Sequence, residues 1–190
     1  MEKYKVYLFR HGQTYFNKNK FFTGWKESKL TPLGIRQARK IALELKNKKI
    51  GIAIETRLSR SKDTLKQVLK YHPECRKRIV DNRMIERSYG DLEGKSHESI
   101  IQEYGIDIFN QWHRGFKSRP PKGESFADVE KRVKIFIKYL KKLIRKEKTN
   151  IAISAHGNSI RLFRKIMEKK SEKQAVKWII PYDKYYTYSF

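Results

Sequence analysis

Three short stretches carry residue types able to do chemistry together. "LFRHGQT" (residues 8–14) ends an apolar run in Arg10 and His11, followed by Gly12. "SAHGNS" (residues 154–159) ends another in His156, followed by Gly157 and Asn158. "SRSKDTL" (residues 59–65) places Arg60 near the start of a helical pattern that follows the apolar run "IGIAIET". In open parallel sheets, ligands bind beyond the carboxyl ends of the strands, where loops and helix N-termini converge. Two histidines, two arginines and unpaired helix N–H groups at such an edge form an anion cradle. A single strand-end histidine is ordinary structure. Two at equivalent edges, each followed by glycine, predict a site.

The elements that must position these residues are legible along the chain. "KVYLF" and "IGIAIET" read as short buried strands, and "NIAISAHGNS" as a third. Thr31 is a good N-cap, with Pro32 at the first helical position and Ile35, Ala38, Ala42 and Leu45 at helical spacing behind it. The aromatic and polar stretch before it, up to Leu30, reads as an ordered loop. "SRSKDTLKQVLKYH" predicts a second helix, and "SIRLFRKIM" one directly after the third strand. Ser125, with Asp128 three residues on, is close to a capping box for the longest helical pattern, "SFADVEKRVKIFIKYLKKLIRK". The middle, Arg78 to Gly123, is less regular, with helical hints in "HESIIQEYG" and "DIFNQWHRG". Strands alternating with helices predict an α/β fold on a mainly parallel sheet, and no break marks a second domain across residues 1–190.

Composition narrows the partners. The chain has 190 residues, 38% hydrophobic, enough for a packed core. Lys and Arg number 45 against 20 Asp and Glu, a net charge of +25 that favours anionic partners. Most of that lysine alternates with apolar residues at helical spacing and reads as solvated helix faces. Nucleic acid is therefore the least favoured partner, since composition alone supports it. The one cysteine, Cys75, allows neither an internal disulfide nor a cysteine metal cluster. No stretch approaches the length of a membrane span and the first apolar run is too short for a signal peptide, so a cytoplasmic protein without membrane contact is expected.

"LFRHGQT" resembles the arginine-histidine-glycine signature of the histidine phosphatase superfamily, with its phosphoglycerate mutase-like fold. "NKNKFFTGWKESKLTPLG" resembles the loop and helix start of the cofactor-dependent phosphoglycerate mutases. "TRLSRSKDTL" is similar to the family's second arginine motif, "ERSYGDLEG" to its acid motif, "SAHGNSIR" to its second-histidine motif, and "IIPYDKYYTYSF" to its closing strand. The resemblance runs over almost the whole chain. It implies a three-layer α/β fold and His11 as nucleophile, with one ring nitrogen carrying phosphate and the other donating to a backbone carbonyl. Arg10, Arg60 and His156 would surround the phosphoryl group, and Glu86 would be the general acid. Asn17, Thr23, Gly24, Tyr89, Gly157 and Asn158 would complete substrate contacts, with Gly12 and Gly157 letting the backbone approach closely. No metal is implied. A mutase would use 2,3-bisphosphoglycerate as phosphoryl primer for a small phosphorylated metabolite, and the family allows a homo-oligomer.

Two positions depart from the mutase pattern. In "QWHRGF" the first of a pair of arginines is His113, leaving Arg114, and the substrate lysine aligns with His97, near Lys95. Both histidines are expected at the substrate. As partly charged imidazoles they would bind anions less well as pH rises. The stretch from "RPPKG" to "ESFADVEKR" is also shorter than in those mutases. A mutase is favoured over a phosphatase of small phosphate monoesters.

Overall fold

The computed structural model describes residues 4–190. Five strands form one sheet in the order β3-β2-β4-β1-β5, with β1 at Lys5–Arg10, β2 at Ile52–Glu55, β3 at Lys77–Val80, β4 at Ile151–Ala155 and β5 at Tyr185–Ser189. The pairs β1–β4, β2–β4 and β2–β3 are parallel, and only β5 runs antiparallel, beside β1. The three central strands β1, β2 and β4 read as apolar runs because both their faces are covered. Val6, Leu8, Ile52, Ile54, Ile151 and Ile153 pack on one side, while Tyr7, Phe9, Ala53 and Ala152 pack on the other.

The first side is covered by the long helix α6 (Phe126–Glu147) and by α7 (Gly157–Met167), through Val133, Phe136, Leu140, Ile160 and Phe163. The second is covered by α2 (Pro32–Leu45) and α3 (Ser59–Leu69), through Ile41, Leu45, Leu65 and Val68. This is the three-layer α/β arrangement expected. Thr31 Oγ1 accepts from Gly34 N at 3.0 Å, so the expected cap of α2 is formed. The Ser125–Asp128 capping box of α6 is complete, and Arg119 closes over Asp128 at 2.6 Å.

Differences from the sequence reading fall where elements are short or exposed. Tyr15–Lys18 form a one-turn helix, α1, capped by Thr14, where a loop was expected. The second helix ends at Leu69 rather than His72. β3 lies on a sheet edge, with Lys77, Arg78 and Val80 exposed, so its side chains give no alternating signal. The irregular middle contains α4 (His97–Tyr104) and α5 (Ile106–Arg114), separated at Gly105 with φ 83°. A further short helix, α8 (Glu172–Lys177), precedes an extended strap that leads into β5.

Candidate active site

The carboxyl ends of β1 and β4 are neighbours in the sheet, with Arg10 in register with Ala155. Each strand therefore delivers its next residue to the same place, and the His11 and His156 rings stand 5.1 Å apart between centroids. His11 N donates to Ala155 O at 3.0 Å, which stitches the two exits together. His11 Nδ1 lies 2.7 Å from Gly12 O. A carbonyl can only accept, so Nδ1 carries the proton and Nε2 keeps its lone pair. Burial first, then the nearby Arg60 and Arg10, hold His11 neutral, well below the usual 6.5. His156 is neutral for the same reasons, burial leading. Its Nε2 lies 2.8 Å from Thr56 Oγ1, and its Nδ1 is buried without a partner among the described residues.

Arg60 enters from the first turn of α3 and is 1% exposed. Its two terminal nitrogens donate to Gly24 O at 2.7 Å and Lys26 O at 2.9 Å, and burial pulls its pKa down to about 10. Arg10 donates to Ile180 O at 2.9 Å. Glu86 Oε1 accepts from the backbone N–H groups of Arg87 at 2.8 Å and Asn158 at 3.1 Å. Glu86 is thus fixed by the backbone N–H of its neighbour and by one at the N-terminus of α7, while Arg83 pairs with Asp81. Asn158 Nδ2 donates to Tyr89 Oη at 3.2 Å, and its Oδ1 accepts from Arg161 at 2.6 Å. Asn17 Oδ1 accepts from Thr14 in the cap of α1, which leaves its amide N–H groups for the cavity.

These residues surround a cavity of about 360 Å³. Arg10, His11, Asn17, Thr23, Gly24, Arg60, Glu86, Tyr89, His97, His113, Arg114, Gly157 and Asn158 all line it, and His156 lies directly behind His11. Arg10 Nε, Arg60 Nε, Thr23 Oγ1 and His156 Nδ1 are buried and have no hydrogen-bond partner among the described residues. Buried polar atoms normally have partners, so three of them on residues lining one cavity, with His156 Nδ1 behind them, mark it as built for a polar ligand.

The profile of the histidine phosphatase superfamily (branch 1) matches residues 6–189. The chain belongs to this superfamily. A 2,3-bisphosphoglycerate-dependent phosphoglycerate mutase of Rhizobium johnstonii is 35% identical over 171 residues, covering 87% of this chain and 80% of the relative. Two solved structures share the fold about equally well. The α-ribazole phosphatase of Shigella flexneri superposes with a TM-score of 0.82 at 23% identity, covering 96% of this chain and 89% of that one. A phosphoglycerate mutase of Bacillus anthracis gives 0.82 at 18% identity, covering 100% and 88%. The fold is thus found both in a protein named as a phosphatase and in one named as a mutase, so fold alone does not choose between them.

Two expectations about that cavity gain physical detail. His97 and His113 do meet there, rings 5.1 Å apart, but against Phe22 and Phe109. Burial, reinforced by Arg114, pulls His113 down to about 2 and lowers His97 as well, which disfavours the charged form through which sequence expects both to bind anions. Gly12 lies close to protein rather than ligand, because a Cβ there would collide with Gly34 O in the first turn of α2. Gly157 does meet the site, with Arg10 Cζ 3.3 Å from where its Cβ would stand.

Sequence reasoning missed Arg161, Lys20, Phe22 and Tyr182, all of which line the cavity. Arg161 was discoverable, since it sits three residues after Asn158 on the same face of α7. Among the described residues no group of three or more His, Cys, Asp or Glu is placed to hold a metal ion. No helix there is long and apolar enough to cross a membrane.

Proposed function

We propose that the protein transfers a phosphoryl group through a phosphohistidine on His11 and interconverts 3-phosphoglycerate and 2-phosphoglycerate, as in glycolysis and gluconeogenesis. The observation that carries this reading is the distribution of cations around one small cavity. Arg10 and Arg60 stand beside His11, while Arg114, Arg161 and Lys20 line the same space near His97 and His113. A three-carbon acid bearing phosphate and carboxylate needs two such anchoring regions. Relatives named 2,3-bisphosphoglycerate-dependent phosphoglycerate mutase support the choice. The orphaned atoms of Arg10, Arg60, Thr23 and His156 fit a phosphate-bearing primer such as 2,3-bisphosphoglycerate, which would supply the phosphoryl group that loads His11.

His11 Nε2 attacks phosphorus while the bond from phosphorus to the leaving oxygen breaks, and protonated Glu86 passes its proton to that oxygen. Arg10 and Arg60 hold the phosphoryl oxygens as charge moves onto them. With the Thr56 hydroxyl donating to Nε2, His156 carries its proton on Nδ1 and donates it to the same oxygens. In the return step the acceptor hydroxyl attacks phosphorus, the phosphorus–Nε2 bond breaks, and Glu86 takes the hydroxyl proton. Asn17, Thr23 and Asn158 orient the substrate, with Tyr89 and Arg161 positioning Asn158. Residues 1–190 act as one domain in this reading, in the cytoplasm where the small phosphorylated substrate resides.

A phosphatase of small phosphate monoesters is the second reading. The aromatic wall of His97, His113, Phe22 and Phe109 favours it, because the wall itself carries no permanent cation and suits an uncharged leaving group. One assay separates the two. The protein is given 3-phosphoglycerate with a trace of 2,3-bisphosphoglycerate, and 2-phosphoglycerate and free phosphate are measured separately. Isomer well ahead of phosphate is expected, and the reverse order would establish the phosphatase. His11→Ala abolishes both products, so survival of either would overturn the mechanism.

A further inference from the structure

The strap between α8 and β5 is held by the site itself. Val176 O accepts from Arg114 at 3.2 Å, Trp178 O from Arg161 at 2.8 Å, and Ile180 O from Arg10 at 2.9 Å. Two carbonyls of the extended segment are thus gripped by the cavity arginines Arg161 and Arg10, and Arg114 holds the last turn of α8 just before it. At its far end Asp183 pairs with Lys40 at 2.7 Å. Pinned from both sides, the strap presents Tyr182 to the cavity. The Tyr182 ring lies on the Arg10 guanidinium, with Arg10 Cζ 4.0 Å from its centroid, and stands 6.3 Å from the His11 ring. Ile179, 85% exposed, forms the outer rim of the same wall.

A phosphoryl group on His11 Nε2 has two fates. In one, an acceptor hydroxyl oxygen forms the new bond to phosphorus. In the other, a water oxygen does so, the phosphorus–Nε2 bond breaks with its electron pair returning to nitrogen, the water proton passes to Glu86, and inorganic phosphate leaves. The partition depends on how much water reaches phosphorus before the acceptor does. We infer that Tyr182 shields the phosphohistidine from water and so sets the ratio of transfer to hydrolysis. This rests on the phosphohistidine reading above. The arginines give the device its rigidity: Arg10 and Arg161 line the cavity and also donate to the strap, and Arg114 lines it and donates to the end of α8.

The enzyme is loaded with 2,3-bisphosphoglycerate and rapidly desalted, and the decay of acid-labile phosphohistidine is followed alongside phosphate release. Tyr182→Ala shortens the lifetime in water about tenfold, as expected when an excluded site is opened to solvent. Tyr182→Phe keeps the ring and returns the lifetime to within about twofold of the parent, because a shield acts through its plane rather than its hydroxyl. The side chain is part-exposed and lies on a strap, so its truncation leaves the packed core intact. An unchanged lifetime in Tyr182→Ala overturns the shield, and so does equal shortening in Tyr182→Phe. A parent enzyme that takes up no phosphate at His11 fails at an earlier step, and overturns the phosphohistidine reading together with the shield.

Discussion

An imidazole packed among Phe22, Phe109 and a second imidazole loses its hydration without gaining an anionic partner. His113 is in that position, with Arg114 adding repulsion, and is held at about 2. His11 and His156 are fully buried among arginines and are also neutral. Positive charge at the cavity therefore comes from arginine and lysine, whose charge does not change near neutrality. Sulfate has no titration of its own in that range, which makes it a clean probe. Its dissociation constant, measured by calorimetry at constant ionic strength, should stay flat from about pH 6 to 8. A protonated histidine contributing to binding would instead weaken it by up to about tenfold per pH unit on the rising side. Such a slope would restore the charged roles that sequence alone suggests for His97 and His113.

The element that places His11 is the turn after β1, and its fit depends on two glycines. A Cβ on Gly12 would collide with Gly34 O, and a Cβ on Gly34 with Gln13 O. The turn therefore lies directly on the first turn of α2, where Gln13 O also accepts from Thr31 N at 2.9 Å. Gly34→Ala should destabilise by about 1–3 kcal/mol through overpacking, read as a lower urea midpoint with unchanged slope. It should also displace His11 and depress turnover in the fraction still folded. Wild-type stability with wild-type turnover would show that the turn can yield. This contact was invisible in the sequence, where Gly34 is one more helix residue and Gly12 part of a motif. By contrast β1, β2, β4, α2 and α6 were legible, because burial on both sheet faces or one helix face imposes a period on residue types. α1, β3 and α8 were not, since elements this short or exposed carry too few buried positions to show one. The motifs led to thirteen cavity-lining residues plus His156, all close in space. Arg161 was within reach of the α7 helix spacing, whereas Tyr182 escaped because its role comes from a strap whose path no local pattern encodes.

At the scale of the whole molecule, neutral buried histidines and a net charge of +25 both bear on acid stability. Below pH 6.5 the unfolded chain binds protons at His11, His113 and His156, while the folded chain, with their pKa values depressed, does not. Stability is therefore present above the unfolded value and falls as pH drops, by at most about 1.4 kcal/mol per pH unit for each histidine. The paired carboxylates, Asp128 held low by Arg119 and Glu168 by Arg164, lose their contribution only in the carboxylate range, below this window. Surface repulsion also grows in acid, but it is screened by salt over about 8 Å at physiological ionic strength and over less at higher salt. Burial of an imidazole is not screened. Tm should accordingly fall between about pH 7 and 5.5, and high sodium chloride should leave most of that fall in place. His113→Phe removes one buried proton site and suits the aromatic pocket of Phe22 and Phe109, so its Tm should fall less steeply over the same range. If added salt abolished the fall, surface charge would govern the acid response; if His113→Phe kept the parent slope, His113 would have no part in it.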